Sequence, residues 1–332
     1  MSSTPHDALF KAVFSQPEHA RGTLQTIVPP ALAEMLDWRT LTLRPGSFVD
    51  AALTHQHTNL LYSATLRDGA SALLYFLFEH QSAPPTDGLM GLRLLRYQER
   101  IWDRWRAENP RAKTLPAILP IVLYHGAALW SEPRSFEDFL HLPAELRTAL
   151  EAHLVRFTYL LHDLSQISDD ELRDGAERTA LTRLTTLCFK HARTSADFLQ
   201  LLRRWIDVVR EVAAAPNGLE ALAHVLRYIL EVTTQGNPEA MEALLEREVS
   251  PQAKETLVTL AQQLIERGHL QGMERGVEKG TRQVLLRQLQ QRFGDEVDLR
   301  VEQRVAAAPA EQLEVWVMRV LSAKDLADVF AS

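Results

Sequence analysis

Three residues of this chain have types and spacing suited to holding a hard metal ion and a water molecule: Asn59, Glu79 and Gln81. Metal-dependent phosphodiester hydrolysis needs two or three oxygen ligands converging on Mg²⁺, plus a polar group that orients the attacking water. Adjacent strands can supply them. Asn59 to Leu66 and Ser71 to Glu79 are rich in Leu, Tyr and Phe and are separated by Asp68-Gly69, the signature of a hairpin. A turn about Gly69 sets Asn59 opposite Glu79, with Cβ atoms about 5 Å apart. Side chains two apart on a strand share a face, so Gln81 joins Glu79 while His80 turns away. A register slip of one residue would destroy the arrangement.

These residues need a sheet around them and helices behind it. Leu9, Phe10, Val13 and Phe14 recur at helical spacing, and Pro17 opens a second helix that ends before Pro29-Pro30. Ser47 to Leu53 reads as a strand, which makes a three-strand meander with the hairpin. Leu92, Leu95, Arg96, Ile101 and Trp102 place a helix from Leu89 to about Ala107, and the apolar run Leu115 to Tyr124 reads as a buried strand after it. The predicted class is α/β, a mixed central sheet flanked by helices. Beyond Trp130 only helices are predicted: Phe136 to Leu140, Ala144 to Leu154, Leu181 to Lys190, Ala196 to Val212 and Leu219 to Val232. Pro216-Asn217-Gly218 and Gln235-Gly236-Asn237-Pro238 separate them as loops. Gly268, Gly272, Gly276 and Gly280 then recur every four residues in a charged context, which suits either close helix approach in an oligomer or a weak helical linker. The linker is the favoured reading. Leu285, Leu289, Phe293, Leu313, Trp316 and Val320 centre a last small helical unit. The predicted divisions are 1–165, 166–250, 251–282 and 283–332.

Bulk composition narrows the function classes. The 332 residues are 46% hydrophobic, enough for one or two ordinary cores. The single cysteine, Cys188, excludes an internal disulfide and a cysteine-rich zinc site and points to a reducing, cytoplasmic compartment. No basic region followed by an apolar run opens the chain, and no apolar stretch approaches the roughly 18 residues of a membrane span, so neither secretion nor a membrane is expected. A net charge of −7 argues against a basic coat for nucleic acid, so any DNA contact must be local. Arg93, Arg96, Arg100 and Arg104, within the basic stretch from Arg93 to Lys113, are the candidate phosphate contacts; the alternative is an ordinary solvated face. No Walker A loop, Gly-Xaa-Ser-Xaa-Gly elbow or His-Glu-Xaa-Xaa-His helix is present in the sequence. His6 and Asp7 read as helix-start residues, Tyr97, Trp102 and Trp105 as core, and His125 as either core or site.

Five blocks give the chain a specific resemblance: Pro5-His6-Asp7-Ala8-Leu9-Phe10-Lys11, Ser47-Phe48-Val49-Asp50, Glu79-His80-Gln81-Ser82, Arg93-Leu94-Leu95-Arg96-Tyr97 and Ile121-Val122-Leu123-Tyr124-His125-Gly126. In this order they resemble the recombination-promoting nucleases, a transposase-like family. That resemblance implies a PD-(D/E)XK core, dependence on Mg²⁺ with Mn²⁺ able to replace it, and DNA as substrate. Glu79 matches the second acidic ligand, and Gln81 stands where the wider superfamily has lysine. Position 59 should be Asp and is Asn59 here, which removes one formal charge from the site. Asp50 is the candidate to substitute as a third metal ligand. Rival readings are a catalytically inactive DNA-binding or self-associating protein, with self-association through the C-terminal helices, and a purely structural helical adaptor.

Overall fold

A computed structural model of the chain describes residues 4–45, 59–67, 73–85, 87–233 and 237–331. Thr4 accepts from the Asp7 backbone N–H and Pro5 pre-sets the first turn, so α1 (Pro5–Phe14) starts where the sequence places a helix. Then come α2 (Pro17–Ile27), α3 (Pro30–Met35), β1 (Leu36–Arg44), β2 (Asn59–Leu66), β3 (Leu73–Gln81), α4 (Met90–Glu108) and β4 (Ala117–Tyr124). The chain continues through α5 (Ala144–Leu150), β5 (Leu160–Asp163), α6 (Asp169–Asp174), α7 (Ala180–His191), α8 (Phe198–Arg204), α9 (Ile206–Ala214), α10 (Gly218–Val232) and α11 (Pro238–Glu248). It ends with α12 (Pro251–Phe293), α13 (Leu299–Ala307), α14 (Ala310–Arg319) and α15 (Leu326–Val329).

The strands form one mixed sheet in the order β1-β2-β3-β4-β5. β1, β2 and β3 are antiparallel, while β3, β4 and β5 run parallel, with α4 as the crossover between β3 and β4. Alternation splits the strand side chains between two covers. Leu60, Tyr62, Phe76, Phe78, Ile121 and Leu123 pack into a core with α1, α7 and α10. Leu61, Tyr75, Leu77 and Val122 face the other way, against Met90, Leu94, Tyr97 and Ile101 of α4. Leu94 is fully buried there, so truncating it to Ala should cost about 2–5 kcal/mol and loosen α4 from the sheet.

Two sequence expectations change. The meander's first strand is Leu36–Arg44, while the predicted strand at 47–53 lies outside the described residues. The stretch beyond Trp130 does contain a strand, β5, whose four residues are too short to show a period-two pattern. The glycine-spaced segment is helical, as read from the sequence, and lies within the 43-residue α12. An added Cβ at Gly268, Gly272, Gly276 or Gly280 would meet nothing within 4 Å.

By compactness the chain divides into Met1–Leu260 and Ala261–Ser332, so the expected boundary near residue 165 falls inside the first unit. The second unit has its own core, which contains Leu285, Leu289, Leu313, Trp316 and Val320 of the group expected from the sequence together with Val305, while Phe293 packs against it partly buried. Among the described residues no helix is long and apolar enough to cross a membrane.

Candidate active site

The β2–β3 ladder has the register the hairpin argument requires, with Asn59 opposite Glu79 and Leu61 opposite Leu77. Glu79 lies near the carboxyl end of β3, beside Val122 of the parallel strand β4. Gln81 shares its face and donates from Nε2 to Glu79 Oε1 at 2.9 Å. From α4, Arg93 Nη1 stands 3.8 Å from the same oxygen, while its Nη2 is 3.7 Å from Asp87. One helical turn on, Tyr97 falls on the same stripe of α4, beside Asn59 and Glu79.

Four atoms at this point make no hydrogen bond: both Asn59 side-chain polar atoms, Glu79 Oε2 and the Tyr97 hydroxyl. Each such buried group costs about 1–3 kcal/mol, and these sit among Leu61, Leu77, Leu94 and Val122. Burial pushes the Glu79 carboxyl up to about 8, against partial relief from Arg93 and Gln81. Burial likewise pushes the Tyr97 phenol up to about 12, with the Glu79 charge adding to it.

Asn59, Glu79 and Gln81 therefore converge as expected, but not on an open pocket. Glu79 is 0% exposed, because Arg93 and Tyr97 on α4 pack against this face of the hairpin. The broad surface cavities lie elsewhere. One of about 610 Å³ is bordered by Arg21, Asp37, Trp38 and Arg67, and one of about 670 Å³ by Trp130, His162 and Arg178. Asp50 lies outside the described residues. Among the described residues no group of three His, Cys, Asp or Glu side chains could hold a metal ion.

The basic helix is less uniform than its sequence. Arg93 turns inward and its side chain is 13% exposed. Arg96 faces solvent and Arg100 is half-buried. Arg104 is tied to Glu108 at 2.8 Å. Tyr97, expected in the core, is in the core by its ring and in the site by its hydroxyl.

His80 turns to the opposite face, where it meets residues that sequence order keeps far apart. Its Nδ1 is 3.3 Å from Asp7 Oδ1 and its Nε2 is 2.8 Å from His125 Nε2. His125 Nδ1 faces the Phe189 carbonyl at 3.1 Å and so must carry the proton there. Burial holds His125 well below its ordinary value and lowers His6, which meets the Tyr228 hydroxyl, to about 4. Asp7 is thus both a first-turn acid and the link from α1 to the back of β3. Helical spacing could place Asp7 on α1 but not name its partner.

This arrangement can be set beside known proteins. The family model described as "Putative transposase, YhgA-like" matches residues 4–220. Recombination-promoting nuclease RpnD of Escherichia coli O157:H7 is 31% identical over 268 residues, covering 79% of this chain and 95% of the relative. The chain belongs to the recombination-promoting nuclease family. Nuclease RpnA of Escherichia coli K12 is 30% identical over 269 residues, covering 80% of this chain and 85% of the relative. The inactive recombination-promoting nuclease-like protein RpnE of the same strain is 29% identical over 304 residues, 91% of this chain and 95% of the relative. No solved structure matches the chain.

Proposed function

We propose that this family member is a Mg²⁺-dependent DNA endonuclease on a PD-(D/E)XK-type core, slowed because its site has one carboxylate fewer than the family pattern. The observation that carries the reading is the pairing of Asn59 with Glu79, both with side-chain oxygens that no protein group satisfies. Such a donor set fits a hard cation, since Mg²⁺ is commonly held by one or two carboxylates with waters and substrate phosphate completing the shell. Asn59 Oδ1 and Glu79 Oε2 would hold it, with position 50 a further candidate. The bound ion would supply Lewis-acid polarisation of the phosphate and a more acidic water.

The protein's own groups have separable tasks. Gln81 fixes the Glu79 carboxylate through Oε1, which leaves Oε2 without a hydrogen bond and available to an ion. The Gln81 amide oxygen is the group available to accept a hydrogen bond from the attacking water and so orient it. Arg93, next to Glu79, is placed to meet negative charge developing on the phosphate. Arg96 and Arg100 extend the positive stripe along α4 for the flanking backbone.

DNA binding without cleavage is the second reading, and Asn59 is what favours it. Supercoiled plasmid with Mg²⁺, Mn²⁺ or EDTA separates the two. The proposal expects slow nicking with either ion, none with EDTA and none by Glu79→Ala. DNA retention with no nicking under any ion would establish the binding protein instead.

A further inference from the structure

Tyr97 has an unexplained hydroxyl. Its ring packs in the cluster that contains Leu61, Leu77, Leu94 and Ile101, and the residue is 2% exposed. Packing alone would be served as well by Phe, which avoids burying a polar atom that makes no hydrogen bond. The hydroxyl stands instead beside the Asn59 amide and the Glu79 carboxylate, which also carry atoms that make no hydrogen bond.

The amide makes that neighbour matter. The two ends of an Asn side chain have nearly the same shape, but only the oxygen can face a cation; the NH₂ end only donates. A carboxylate at position 59 would present oxygen either way round. Asn59 therefore serves an ion site only if its NH₂ end is held elsewhere. Gln81 cannot hold it through Nε2, which is a donor already engaged by Glu79. Arg93 is also donor-only and would attract the oxygen end. A phenol hydroxyl can accept a hydrogen bond from the NH₂ and donate one to a carboxylate.

Resting on the ion-site reading above, we infer that Tyr97 is the positioning residue that orients Asn59: its hydroxyl accepts from Asn59 Nδ2, donates toward Glu79 and leaves Asn59 Oδ1 turned to the cation. The arrangement gives Asn59 Nδ2, the Tyr97 hydroxyl and Glu79 Oε2 a partner, and leaves Asn59 Oδ1 and the second lone pair of Glu79 Oε2 for the cation.

The test is Tyr97→Phe made in the natural chain and in Asn59→Asp, with Mn²⁺ affinity measured by calorimetry on the full-length proteins. Mn²⁺ binding should weaken about tenfold in the natural chain, the equivalent of one ordinary hydrogen bond, and about twofold or less in Asn59→Asp, where either carboxylate oxygen serves. In the metal-free natural chain, the Asn59 side-chain amide signals in NMR should shift on Tyr97→Phe. Equal loss of Mn²⁺ affinity in both backgrounds would reduce Tyr97 to a packing residue, and unshifted amide signals would remove the pairing itself. Shifted signals in proteins that take up no Mn²⁺ in either background would instead sink the ion-site reading and the orienting role with it.

Discussion

Glu79 shows what burial does to a single carboxyl. Its ordinary value of 4.5 is pushed up to about 8, chiefly by desolvation. The folded state therefore keeps a proton that the unfolded chain gives up, so stability falls as pH rises from 4.5 to about 8. Glu79→Gln keeps the shape without the charge and should remove that loss. In thermal unfolding across this range the variant should gain on the natural chain as pH rises; parallel curves would contradict the protonated, buried carboxyl. The pairing behind this site was legible because Asp68-Gly69 and strict alternation fix the register of Asn59, Glu79 and Gln81. Tyr97 was not legible as a site residue. Helical spacing puts it on α4, but its hydroxyl's neighbours come from β2 and β3, and only the crossover geometry brings them together.

Among the elements, α4 presents two neighbouring stripes, with Arg93 and Tyr97 turned toward Glu79 and Arg96 open to solvent. Replacing Arg96 and Arg100 with Ala should weaken DNA binding and flatten the dependence of log affinity on log salt by up to about 0.9 per lost phosphate contact. An unchanged slope would make this an ordinary solvated helix face. Arg104 should matter less, because Glu108 already holds it. At the other end, Leu285 and Leu289 are fully buried in their own unit's core. Leu270, Met273, Val277 and Val284 of α12 are exposed instead, at the three- and four-residue steps of a helix-pairing seam. If a second copy covers that seam, Val277→Glu should lower the mass found by light scattering; an unchanged mass would exclude the pairing. β1 and β5 show why some elements escape sequence reading. A register irregularity between Asp37 and Thr42 interrupts the alternation of β1, and β5 has four residues.

Within the first unit, one face of the sheet and helices α1, α7 and α10 share one core, with Phe10, Phe78, Leu123, Leu184, Leu226 and Ile229 all buried in a single cluster. Composition and periodicity announce the separate helices but not that α7 and α10 close over β3. Histidines line that closure. Burial lowers His80 and His125 and holds His162 at about 3. The unfolded chain takes up these protons near the ordinary value of 6.5, so this part of the stability is present above that pH and is lost as pH falls through it. His162→Phe should lessen the acid sensitivity of thermal unfolding; an unaltered acid limb would show that His162 does not contribute to it. The same closure holds the back of β3, where His80 meets Asp7 and His125, while the front presents Glu79. The central claim is that this front is an ion site short of one carboxylate. Plasmid nicking in Mg²⁺ by Asn59→Asp, alone and combined with Glu79→Ala, tests it most directly. The account predicts that Asn59→Asp nicks at least about tenfold faster than the natural chain and that adding Glu79→Ala abolishes the gain, a non-additive pair. An Asn59→Asp protein inert with both Mg²⁺ and Mn²⁺, or a gain that survives Glu79→Ala, would contradict it.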